Sequence, residues 1–351
     1  MPGLRRSPRA TPGPGSGGPT IRDEVGETVH EEFESGFSGG GALVAEEAVL
    51  VGDEGRGRGP LKWGLSFFAW LAIGWMVFIV IIAVLAKIGL VTWGDPQNVI
   101  ASCARKGPFA NEGTAPGHLL GCDSDGRDMI ARLALGAWTS LLVGTGSVAL
   151  GFLIGGTLGL IAGYFGGRLD SFLVSTFNVL LSVPGVVLAL ALVAFLQGSA
   201  QAGTATALPD VVILIIAIGV VAIPLIGRIS RASALTWSRR EFVLAARAQG
   251  AKNGRVMWRE VLPNVLPAMV SIALLSVAIA IVAEGALAIL GVGVRPPTPS
   301  WGNMIAIDRG ELFTSPHIVF EPALLIFLTV LALNYLGDVI RAKFDVRESA
   351  I

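Results

Sequence analysis

Six stretches of the chain carry apolar side chains almost without interruption, at about 64–86, 136–162, 174–196, 210–228, 266–291 and 320–340. Roughly 20 mostly apolar residues in helical conformation cross the ~30 Å hydrocarbon layer of a bilayer, so the pattern predicts six membrane-spanning helices. Pro184 in LLSVPG and Pro224 in VAIPLIG fall inside two of them. Neighbouring helices can satisfy the backbone groups a proline frees, so both are expected as kinks and not as breaks.

Composition agrees with lipid as the solvent: of 351 residues, 52% are hydrophobic and 15% charged, with a mean hydropathy of +0.68. The expected fold class is therefore an all-α integral membrane protein. Lys+Arg and Asp+Glu balance at 26 each, so net charge offers nothing to a nucleic acid, and only the distribution is informative. Arg228, Arg231, Arg239, Arg240, Arg247, Lys252, Arg255 and Arg259 all lie between the fourth and fifth apolar segments. The positive-inside rule puts that loop, about 229–264, in the cytoplasm. By alternation the Gly166–Asp170 turn, the Arg341–Arg347 segment and the N-terminal residues are also cytoplasmic. The loops at about 88–133, 197–209 and 292–319 are then outside. Arg105, Lys106, Arg127 and Arg132 in the first outer loop run against the rule but are outnumbered.

Residues 1–60 divide into a basic Pro/Gly-rich stretch through Pro19 and an acidic stretch that follows. Such a composition buries too little apolar surface to offset ordering entropy, and a disordered cytoplasmic tail is expected, ahead of a membrane domain over 61–347. The opening MPGLRRSPRATPGPGSGG lacks the apolar core of a cleavable signal.

Gly151, Gly155, Gly159 and Gly163 recur every four residues and so share one helix face, where missing side chains let another helix approach closely. GTGSVA at 144–149 fits a dinucleotide fingerprint only formally, since it lies within an apolar helix and not between a strand and a helix. CDSDGRD at 122–128 has a calcium-loop flavour, but its glycine is out of register and no Glu stands at the twelfth position, so a polar turn is expected. No Walker A, GxSxG or HExxH pattern occurs, and His30, His118 and His317 are far apart. No catalytic set, metal site or bound cofactor is expected of this chain.

Within the basic loop, Ser238 and Glu241 form a capping box, FVLAARAQ follows as good helix former, and Gly250 stands at a left-handed C-cap position. A short helix over about 239–249 is predicted, with a second stretch from Arg255 ending at Leu262-Pro263. On physical grounds alone, such a basic amphipathic helix could bind anionic headgroups instead of a protein.

Leu244-Ala245-Ala246, Gly250 and Leu262-Pro263 resemble the EAA loop of ABC-importer permeases, with Leu244 standing where many members have Glu. EFVLAARAQGAKNGRVMWREVLPNVLP, HLLGCDSDGRDMIARLALGAWTSLLVG, GYFGGRLD, LSVPG, ILGVGVRPPTPSWGNMI and NYLGDVIRAKFDVR are similar, in order, to blocks of the C-type permease of dipeptide and oligopeptide importers. The resemblance covers about Lys62 to Arg347. It implies a second permease subunit as partner, two cytoplasmic ATPase subunits or domains that carry ATP and Mg, and an extracytoplasmic solute-binding protein. It also implies that the helix at 239–249 docks in an ATPase cleft and transmits its closure, with Phe242, Val243, Ala245 and Ala246 filling the cleft and Arg239, Arg240 and Arg247 at its rim. Peptides are the expected cargo, and nickel, glutathione and opine systems share these blocks.

Glu284 lies deep in the fifth apolar segment, where an ionised side chain is costly and must face protein or water. It is expected either on the transport pathway, in contact with substrate, or in an interhelix hydrogen bond or near a helix end. Asn334 and Asp338 invite the same two readings. Cys103 and Cys122 share the first outer loop, the only oxidising side available, which suggests a disulfide closing a roughly twenty-residue loop, worth about 3 kcal/mol by chain entropy. A stand-alone secondary transporter is the rival class, and it expects inverted repeats and several intramembrane acids, which the sequence lacks.

Overall fold

Apolar segments fold as helices in a bilayer because each backbone N–H and C=O must find a partner within the segment. The computed structural model describes residues 67–90, 97–108, 118–201 and 208–348, and the tail expected over 1–60 lies outside them. In chain order the helices are α1 (Phe67–Lys87), α2 (Met129–Phe165), α3 (Gly167–Ser182), α4 (Gly185–Gln201) and α5 (Asp210–Trp237). They continue with α6 (Glu241–Ala248), α7 (Asn253–Val256), α8 (Leu262–Ile289), α9 (Trp301–Asp308) and α10 (His317–Glu348). No strand occurs among the described residues. Five helices are long and apolar enough to span a membrane, and α3 with α4 forms a bent pair that brings the number to six.

The bent pair corrects the single span, merely kinked at Pro184, expected at 174–196. Its halves meet at 86°. Val183 between them is extended at φ −90°, ψ 130°, because the ring of Pro184 disfavours the helical region for the residue before it. Pro224, by contrast, sits within an unbroken α5, its neighbours Ala222 and Ile226 buried on either side.

The fifth span is also longer than 266–291. Residues 253–289 run as one helical path in which Met257–Val261 widens into a π turn before α8 begins. Leu262-Pro263 therefore does not end a helix. Proline's missing N–H leaves a carbonyl one turn back unpaired, and the widened turn sits where that defect must be absorbed. Asn264 adds a side-chain donor, its Nδ2 giving a 2.6 Å bond to the Glu260 carbonyl.

The glycine row fixes how α2 meets α5. A Cβ at Gly151 would come 2.7 Å from that of Ala222, and one at Gly163 equally close to Ala234. At Gly155 and Gly159 it would overlap the carbonyl oxygens of Ile223 and Gly227. Ser230 then donates 2.7 Å to the Gly156 carbonyl across the same seam. Small residues let the two backbones touch, and the packing replaces the hydrophobic drive that lipid does not supply.

Candidate functional site

The loop expected to couple to a partner lies at one end of the bundle, between α5 and α8. α5 runs on through Trp237, so Ser238 becomes its C-cap and donates to the Leu235 carbonyl at 3.2 Å. The predicted capping box therefore does not form, and α6 starts at Glu241 after an extended Arg240 without a side-chain cap. Its other end is as expected from sequence: Gly250 is left-handed at φ +83° and donates 2.9 Å to the Arg247 carbonyl. Open space surrounds the position a Cβ would take, so glycine is needed there for backbone conformation alone.

α6 has two faces. Val243 is 0% exposed and belongs to this chain's interior, which corrects its expected place in a partner's cleft. Ala246, three residues on, is half-buried against the same core and keeps part of its surface open. The outward face carries Phe242 at 38% and Leu244 at 56% exposure, with Ala245 also exposed. Leu244, the departure from the EAA pattern, thus makes the outer face more apolar. Two of the three expected rim arginines lie over rings of their own chain: Arg240 is 5.3 Å from the Trp237 ring centroid and Arg247 is 5.1 Å from that of Tyr164. Arg239 is exposed. Leu262 and Pro263 open α8 behind the π turn.

Below this loop the bundle is tied by charge. Arg231 of α5 makes a two-pronged pair with Asp170 of α3, at 2.6 Å for Nη2 to Oδ2 and through Nε to Oδ1. Such a fork matches carboxylate geometry and fixes orientation as well as charge.

The opposite end is cross-linked more densely. Cys103 and Cys122 form a disulfide with Cα atoms 5.8 Å apart. His118 is close enough to both sulfurs to suggest a metal site, but bonded sulfurs offer no thiolate, so none is assigned. The CDSDGRD segment is a polar turn: Asp123 Oδ1 accepts from the backbone N–H groups of Asp125 and Arg127, and Gly126 is left-handed. Arg127 Nε donates 2.8 Å to Asp123 Oδ2. Arg132 Nε lies 3.1 Å from the same oxygen, near enough for charge pairing although its N–H is not aimed there. Arg105 pairs with Glu311 at 2.8 Å. Three of the four basic residues that run against the positive-inside count are thus matched by local acids.

Glu284 is 0% exposed. Ser300 Oγ donates to it at 2.7 Å, Ser140 Oγ at 3.3 Å, and the Gly302 backbone N–H also bonds it. These contacts place it in an interhelix network and not on an open path through this chain. Ser300 caps α9, accepting from the Asn303 N–H at 3.1 Å, and Trp301 buries its ring with Nε1 donating 3.0 Å to the Leu133 carbonyl. α9, Ser140, Ser300 and Trp301 escaped the sequence reading, although Ser-Trp-Gly-Asn after a proline-rich loop carries a usable N-cap signal. Asp308, last in α9, accepts from Ser124 Oγ, and burial pushes its carboxyl above the usual carboxylate range. Asn334 is half-buried and Asp338 exposed on α10.

Residues 155–349 match the family described as binding-protein-dependent transport system inner membrane component. The di/tripeptide transport system permease protein of Pseudomonas aeruginosa is 36% identical over 275 residues, 78% of this chain and 87% of the relative. The glutathione transport system permease protein of Pectobacterium atrosepticum is 36% identical over 235 residues, 67% of this chain and 74% of the relative. Among solved structures, the MetNI methionine ABC transporter in an inward-facing conformation superposes with a TM-score of 0.50 at 22% identity, covering 61% of this chain and 97% of that one, which speaks to fold alone. The chain is a multi-pass membrane protein and belongs to the binding-protein-dependent transport system inner membrane components, the permease subunits of ABC importers.

Proposed function

We propose that this permease imports short peptides, works beside a second permease subunit, and is driven by two ATPase subunits or domains that seat on α6. The basic loop then faces the cytoplasm and the disulfide end faces outward, where a solute-binding protein delivers the cargo. The observation that carries the reading is the split of α6 into an anchored face, Val243 and Ala246, and a free apolar face, Phe242 and Leu244. A helix held by one face and bare on the other is built to receive a partner, and a lipid surface would call instead for its arginines to be free. Arg240 and Arg247 are engaged on aromatic rings. Peptide cargo is supported by the names of two relatives, for di/tripeptides and for glutathione, itself a tripeptide.

ATP and Mg belong to the ATPase partners in this scheme, and the chain itself performs no hydrolysis. The test is reconstitution of the complete transporter in liposomes with labelled di- and tripeptides. Uptake should require ATP, and Leu244→Asp should reduce ATPase binding and uptake at least tenfold while leaving the permease folded. Uptake that persists with an inactive ATPase would point to secondary transport.

A further inference from the structure

Tyr164 stands one residue before the end of α2 and is 7% exposed. Its ring and its hydroxyl make separate contacts. Arg247, on the last turn of α6, lies over the ring at 5.1 Å. Tyr164 Oη donates 3.3 Å to Asn253 Oδ1, at the first residue of α7. Residues 247 and 253 stand on either side of the left-handed turn at Gly250. One aromatic side chain therefore grips both ends of the turn by which α6 leaves for the fifth span.

Its neighbour links that grip to the bundle. Gly163 is pressed against Ala234 and the Arg231 carbonyl of α5, with no room for a side chain. Ser230 bonds the Gly156 carbonyl about two turns back along α2, and Arg231 holds Asp170 of α3. On the other side Phe165 packs edge-on against the Tyr164 ring at 5.0 Å, just before the Gly166–Gly167 corner. A displacement of α6 thus has a stiff route into α2, and α2 cannot move without α5. Packed elements of this kind move as bodies, because close packing resists gradual deformation.

We infer that Tyr164 is the positioning residue through which movement of α6 is delivered to the α2–α5 pair. The inference rests on the reading of α6 as the ATPase-docking helix and names the next link in it. Arg247, expected from sequence at the rim of a partner's cleft, serves this internal contact through its guanidinium. Tyr164→Phe keeps the ring under Arg247 and loses the bond to Asn253, whereas Tyr164→Leu keeps bulk and loses both. Spatial intermediacy alone does not establish transmission, so the readout has to be coupling itself.

The experiment measures ATP hydrolysed per labelled dipeptide taken up by the complete transporter in liposomes, normalised to assembled complex. Tyr164→Leu is expected to raise that ratio at least tenfold while hydrolysis continues, and Tyr164→Phe to raise it a fewfold. An unchanged ratio in Tyr164→Leu overturns the inference, including the case in which less complex assembles but what assembles couples normally, since that is a structural role only. Leu244→Asp, run alongside, separates the two layers. If it abolishes ATPase binding while Tyr164→Leu couples normally, the transmission inference alone fails; if neither variant alters binding or coupling, the docking reading fails with it.

Discussion

At the disulfide end, the Cys103–Cys122 bond closes the loop that precedes α2, and α2, α8 and α9 are joined by a buried carboxylate taking bonds from Ser140, Ser300 and Gly302 and by an embedded Trp301. At the basic end, α6 is held by Val243, by Arg247 over one ring and by a single left-handed glycine, with a bare face beyond. Of these helices α2 and α8 run from one end to the other, and the glycine seam joins α2 to α5 between them. A difference of this kind suits a lever: one end is fixed by bonds that are costly to break, and the other turns on contacts that can be displaced. Motion driven from the basic end would then pivot about the disulfide end. Three substitutions test how far that contrast holds.

The largest effect is expected where the fixed end is cut. Glu284→Leu removes the acceptor shared by three buried donors. Each unsatisfied buried group costs on the order of 1–3 kcal/mol, and partners found in the unfolded-in-membrane state offset part of this, so a loss of about 3 kcal/mol is expected. Detergent thermal denaturation should show a lowered midpoint and less folded protein. The molecules that remain folded should spend the same ATP per peptide as wild type. A raised ratio would mean that Glu284 takes part in the transport step and that the fixed end is not merely an anchor.

At the basic end the converse is expected. Gly250→Val meets no steric obstacle, because nothing lies near its Cβ, yet it forces a β-branched residue to φ +83°. The strain is about 1–3 kcal/mol, confined to the turn after α6. Thermal stability should fall by less than in Glu284→Leu, while uptake falls at least tenfold with hydrolysis retained. Normal uptake would show that the turn only connects, and the lever reading would lose its moving end.

The two ends also differed in how much the sequence reveals. Periodicity exposes what repeats locally: apolar runs for the spans, a four-residue glycine row for the seam, and glycine after a helix for the Gly250 turn. What it does not expose is pairing across long separations. Ser140 with Glu284, Trp301 with Leu133 and Tyr164 with Asn253 join residues 89 to 168 positions apart. The capping box failed for a related reason, since the packing of α5 carried that helix past its expected end and took Ser238 as a C-cap. At Pro184 the local rule against a helical residue before proline prevailed, whereas the buried flanks of Pro224 kept α5 continuous.

The smallest expected effect concerns the polar turn beside the fixed end. Asp308 lies outside the spans, buried and bonded by Ser124, and it faces Arg132 as well as Asp123 and Asp125. Burial is the leading cause of its raised pKa, with Asp123 and Asp125 adding to it and Ser124 and Arg132 opposing. A carboxyl whose folded pKa lies above its unfolded value favours the fold when protonated. That contribution is complete below the unfolded value, about 3.9, and is lost as pH rises through the folded one. Asp308→Asn keeps an acceptor for Ser124 and removes the ionisation. The variant should therefore be slightly more stable than wild type near neutral pH, by under about 1 kcal/mol, and the gap should close on acidification. Thermal midpoints of both proteins at about pH 8 and about pH 4 measure it, and their difference cancels the other carboxylates common to the pair. A gap that does not change with pH would mean that Arg132 fully compensates Asp308, adding this carboxylate to the ion pairs that Asp123 already makes with Arg127 and Arg132.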